Sequence, residues 1–68
     1  MGVIIIREMV GSSSESWSAA AADAVARAAG TVRNIRQVEV VRHSARVDDG
    51  RITDYEVELK LFFEYEGT

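Results

Sequence analysis

The chain has no cysteine and no proline in its 68 residues. Without cysteine it has neither a disulfide framework nor a CxxC-type metal or redox site. Basic residues are also scarce: eight Lys and Arg face eleven Asp and Glu, for a net charge of -3. This balance excludes a general nucleic-acid binder, whose affinity depends on neutralising phosphates. The apolar run Val3, Ile4, Ile5, Ile6 is far too short for a membrane span and lacks the flanks of a signal peptide. A cytoplasmic protein with no nucleic-acid or membrane partner is the expectation.

So short a chain is expected to form one domain over residues 1–68. A domain of this size buries only about 60% of the surface its unfolded chain exposes, so its own core gives little stability. With disulfides absent and no structural metal cluster in view, self-association is the remaining common device. A homo-oligomer is therefore expected before any motif is considered.

Residues 3 to 10, VIIIREMV, are β-branched and apolar and stop at Gly11, as a first strand does. Ser12 and Glu15 have capping-box spacing and predict that a helix starts there. Trp17, Ala20, Ala21, Ala24, Val25, Ala28 and Val32 recur at helical spacing and form one apolar stripe that Gly30 is placed to end. The alanines let this helix lie close to a surface, which the strands predicted at 34–47 and 51–65 supply. These two are joined at Asp48-Asp49-Gly50. The element order is strand, helix, strand, strand.

In the last strand Tyr55, Val57, Leu59, Leu61, Phe63 and Tyr65 point one way, toward the helix, and Glu56, Glu58, Lys60, Phe62 and Glu64 the other. In the strand before it, Val38 and Val40 share the apolar face, while Gln37, Glu39, Val41 and His43 share the opposite one. Matching the apolar faces pairs even-numbered with odd-numbered residues. A simple two-residue turn is not expected to give that register, so a β-bulge is predicted, with Gly50 as its site.

Chemistry of the catalytic kind is not legible. A triad drawn from Ser13 or Ser14, His43 and Glu56 has no nucleophile elbow around its serines, which read as helix-capping residues. No catalytic residue and no metal ligand is assigned. Asp48 and Asp49 lack the alternating ligands of a calcium loop. Trp17 reads as a core anchor over the sheet, and Phe62, alone among the charges, as a subunit contact or a ligand neighbour.

The segments GSSSESWSAAAADAVARAAGTVRNI, VEVV and DGRITDYEVELKLFFEYEG, taken together, resemble the dodecins, small flavin-binding proteins of the same element order. The resemblance covers nearly the whole chain. It implies an α+β fold of β-α-β-β order, a three-stranded antiparallel sheet wrapped around one helix, assembled as a hollow homododecamer. It also implies noncatalytic storage of a flavin, riboflavin or FMN, stacked on a Trp two residues before a Glu of the second strand. A Gln after the Tyr of the last strand holds the ring edge. Those positions here are Gln37 and Glu56, which become the candidate ligand-binding residues of an atypical site. Positions that carry Arg for a flavin phosphate in some members correspond here to Ser44 and Glu64. The alternative is a member that does not take flavin and instead binds a cation such as calcium or serves as a structural assembly. In that case Glu39, Glu56 and Glu58 pair with Arg or a metal across symmetry axes.

Overall fold

The computed structural model describes residues 2–65. Strand β1 (Ile4–Ser13) leads into helix α1 (Trp17–Ala28), followed by strands β2 (Ile35–Asp48) and β3 (Arg51–Glu64). All three strands pair antiparallel in one sheet of order β1-β3-β2, so the most clearly alternating strand is the central one. The expected α+β arrangement, one helix on a three-stranded sheet, is the one observed.

The helix begins later than its capping-box spacing predicts. Ser16, not Ser12, is the N-cap, and its hydroxyl accepts from the Ala19 amide at 2.9 Å. Ser12 and Ser13 instead extend β1, paired with Glu56 and Tyr55. The Ser13 hydroxyl accepts from the Glu15 amide at 3.0 Å and turns the chain toward the helix. The Glu15 amide that a cap at Ser12 would have addressed is thus already satisfied by Ser13.

The apolar faces are those read from the alternation. Val57, Leu59 and Leu61 of β3 are buried, and Ala20 and Ala24 of α1 close over this side of the sheet. Contact is close because Gly11 on β1 has no side chain. A Cβ built there would lie 2.6 Å from the Ala20 carbonyl oxygen and 2.8 Å from the Ala24 Cβ. The helix therefore rests on β1 and β3 and barely touches β2. Val38 and Val40, although on the helix side of β2, remain 38% and 40% exposed for that reason.

Trp17 does not anchor the core as expected, being 37% exposed. It stands at the first turn of α1 and clasps β2 from the side, donating from Nε1 to the Ser44 carbonyl at 2.8 Å. Its ring meets Tyr55 and His43 edge-on, at centroid distances of 4.8 and 5.8 Å. Tyr65 is likewise 58% exposed, because the helix ends before it can cover that end of β3.

The bulge predicted at Gly50 is not there. Asp49 and Gly50 form a two-residue turn, both at positive φ (52° and 74°), and Asp48 pairs directly with Arg51. This is the primed geometry whose twist matches the flanking strands, and it already pairs an even with an odd residue. The register shifts lie elsewhere: between Arg46 and Val47, between Val40 and Arg42, and between Ile35 and Gln37. The shift at Val41 reverses the facing of the strand beyond it. His43 consequently pairs with Val57 on the helix side, against the sequence expectation.

Two substitutions report on these contacts. Gly11→Ala is expected to lower stability by about 1–3 kcal/mol through overpacking against backbone that cannot swing away, measured by urea denaturation. Gly50→Ala meets nothing within 4 Å but must hold φ at 74°, so its expected cost of about 1–2 kcal/mol comes from backbone strain and not from packing. Trp17→Phe keeps a ring between His43 and Tyr55 but loses the hydrogen bond to Ser44, an expected loss of about 0.5–1.5 kcal/mol in the same assay.

Candidate functional site

The sheet side away from the helix is the candidate ligand face, and the register lays it out in rows. Ile6, Phe62 and Gln37 form one row, and Glu8, Lys60 and Glu39 the next. Val10, Glu58 and Arg42 follow, and then Ser12, Glu56 and Ser44. The side chains alternate with those of the core, so β3's hydrophobic pattern fixes which residues appear here.

Gln37 is exposed, beside the half-buried Phe62. Glu56 lies six residues further along β3, and at about 3.4 Å per residue the two candidates are about 20 Å apart. They share a face but not a site within one chain. Glu56 is held by Arg46, whose Nε donates to Oε2 at 2.9 Å. That hydrogen bond, reinforced by the carboxylate's charge, raises the already high Arg46 pKa, so the guanidinium stays charged. Glu64 is engaged by Arg36 at 2.6 Å, and Glu58 lies 3.9 Å from Arg42. Glu8 and Glu39 flank Lys60 without a salt bridge within 4 Å among the described residues. Ser44 sits beside Glu56, its carbonyl taken by Trp17.

A stacked flavin does not fit these residues. Gln37 offers no ring, and Glu56 accepts hydrogen bonds but cannot donate them as an amide does. A hard cation fits the donor chemistry better, since carboxylate and amide oxygens are its usual ligands. Among the described residues, however, no three His, Cys, Asp or Glu side chains of one chain converge as a metal site.

The sequence reading missed what β1 adds to this face. Ile4, Ile6 and Val10 are 49%, 52% and 66% exposed here, and Ile4 and Ile6 with Phe62 make one end of the face apolar. The uninterrupted run Val3–Ile6 carries no alternation that would have told the two faces apart. A small cavity of about 180 Å³ opens nearby, lined by Glu8, Met9, Val10, Val41, Glu58 and Leu59.

Comparison with known proteins places this geometry. Calcium dodecin of Mycobacterium tuberculosis is 39% identical over 64 residues, covering 93% of this chain and 89% of that protein. The crystal structure of that calcium-chelating antigen, described with a novel calcium-binding site, matches with a TM-score of 0.83 at 34% identity over 97% of this chain and 94% of that one. Dodecin from Streptomyces coelicolor superposes with a TM-score of 0.95 at 31% identity, over 98% of this chain and 96% of that one. A Thermus thermophilus protein gives 0.93 at 32% identity over the full length of both chains. The Dodecin family model matches residues 3–66, nearly all of the fold just described. With the family model spanning residues 3–66 and the fold superposing over nearly the whole length of both chains, the chain belongs to the Dodecin family.

Proposed function

We propose that this chain is a noncatalytic small-ligand binding protein that works as a homo-oligomeric shell, the homododecamer its resemblance implies, and that its ligand is a hard cation such as calcium. The observation that carries the reading is the composition of the outer face. Where a planar ligand needs an aromatic platform stands Gln37, while Glu8, Glu39, Glu56 and Glu58 supply oxygens along the same surface. The similarity to a calcium-chelating dodecin supports the same choice.

Assembly is part of the proposal. One chain does not bring three such ligands together among its described residues, so a cation is shared between copies. Glu8 and Glu39 are the freest donors, and Glu58 is held only loosely by Arg42. Glu56 enters the coordination sphere only if it leaves Arg46, and Gln37 adds a neutral amide oxygen. Flavin, riboflavin or FMN, is the second reading. It rests on the resemblance alone.

Calcium at millimolar concentration is expected to raise the melting temperature of the size-checked oligomer, and a chelator to reverse the rise. A ligand at a hundred times its Kd stabilises by about 2.7 kcal/mol. Glu58→Gln should shrink the shift without changing the baseline melt. No shift with the oligomer intact would overturn the cation reading. Riboflavin and FMN fluorescence should remain unquenched by the protein, and saturable quenching at a fixed ratio would reinstate the flavin reading.

A further inference from the structure

The helix side of the sheet carries a second concavity. Helix α1 has 12 residues and β3 has 14, so at about 1.5 and 3.4 Å per residue the helix spans about 18 Å of a strand about 48 Å long. Past the end of α1 the sheet is bare. There Arg7, Thr31, Val32, Arg33, Phe63 and Tyr65 line a groove of about 590 Å³, within the range of small-molecule sites.

Its charge runs against that of the whole chain. Of the eight Lys and Arg, Arg27, Arg36, Arg42 and Arg46 have carboxylate partners within 4 Å. Arg7 and Arg33 have none among the described residues, and both face this groove. Among the described residues the one carboxylate in the lining, Glu64, is neutralised by Arg36, which reaches its Oε1 from Nε and Nη2 at 3.2 and 2.6 Å. The nearby helix end does not oppose an anion strongly, because its last carbonyls are taken. Ala29 donates to Val25, Gly30 to Arg27, and both Thr31 and Val32 to Ala28.

The groove also has an apolar wall. Phe63 lies under the Arg7 guanidinium, 5.8 Å from carbon to ring centroid, and Tyr65 stands exposed beside it. The stacked contact orients Arg7 with its donors free, since an aromatic face accepts the charge and not the hydrogen bonds. Two guanidinium groups bracketing an aromatic surface match an oxyanion carried on a ring. Their forks bind a carboxylate or phosphate in paired hydrogen bonds.

We infer that this groove is a binding site for an aromatic oxyanion, a ring bearing carboxylate or phosphate, with the anion held by Arg7 and Arg33 and the ring laid against Phe63 and Tyr65. The site is separate from the outer face and does not depend on the cation reading.

The test is calorimetric titration of the intact oligomer with phenyl phosphate, benzoate, inorganic phosphate and benzyl alcohol. Phenyl phosphate should bind saturably and benzoate more weakly, with inorganic phosphate weaker still and benzyl alcohol silent. Added salt should weaken binding. Arg7→Ala and Arg33→Ala should each weaken phenyl phosphate by about ten-fold or more, the worth of a charge-assisted hydrogen bond. Arg51→Ala, at the far hairpin, should leave it unchanged. Both groove positions are exposed, so the variants should keep the wild-type melting temperature and size. The inference fails if phenyl phosphate gives no saturable heat. It fails equally if inorganic phosphate binds as tightly, or if the two groove variants bind like wild type.

Discussion

The close approach of α1 to β1 at Gly11 is the constraint on which the rest of the molecule depends. Because no side chain stands there, Ala20 and Ala24 come down onto the sheet, and together with Val57, Leu59 and Leu61 they make the buried core among the described residues. Five side chains, two of them alanine, bury little apolar surface. A fold this thin fixes the shape of the chain but leaves much of its stability to be found outside it. The exposed valines and isoleucines of all three strands are apolar surface that the fold itself leaves uncovered.

Seating the helix on β1 and β3 also decides what is left uncovered. One end of the inner face is roofed by Trp17 reaching across to Ser44, and the other stays open over Phe63. The outer face receives no helix and divides into an apolar end, with Ile4, Ile6 and Phe62, and a charged end, with Glu56, Glu58 and their arginines. Two chemically different surfaces therefore follow from one short helix on one long sheet. Neither requires the other to be occupied.

How much of this could be read from the sequence depended on whether a local signal existed. The alternation of β3 runs cleanly from Tyr55 to Glu64, and the faces it predicts are the ones observed. The alanine stripe correctly announced a close-lying helix. The start of that helix was misplaced at Ser12 because capping-box spacing is a local signal, whereas pairing of Ser13 with Tyr55, a contact distant in sequence, keeps that stretch in β1. The bulge was sought at Gly50, where a glycine advertised it, whereas Val41 and Arg36 carry no such mark. Gln37 and Glu56 were correctly placed on one face. Their separation along the strand was fixed by the register, which single residues do not reveal.

The shift at Val41 makes β2 two strands in one for anyone comparing its variants. Before it, even positions such as Val38 and Val40 lie on the helix side, and after it, odd positions such as His43 and Ala45 do. The strand thus has a phase boundary, and the same substitution has opposite meanings on its two sides. A one-residue deletion at Val41 would remove the bulge and leave Val40 opposite Leu59 and Arg42 opposite Glu58, so each side keeps its facing. A deletion at a paired position such as Glu39 would instead turn part of the strand over. Shortening the chain by one residue is consequently better tolerated at Val41 than at its paired neighbours, and the outer-face charges keep their orientation because an unremarkable valine is left over from the pairing.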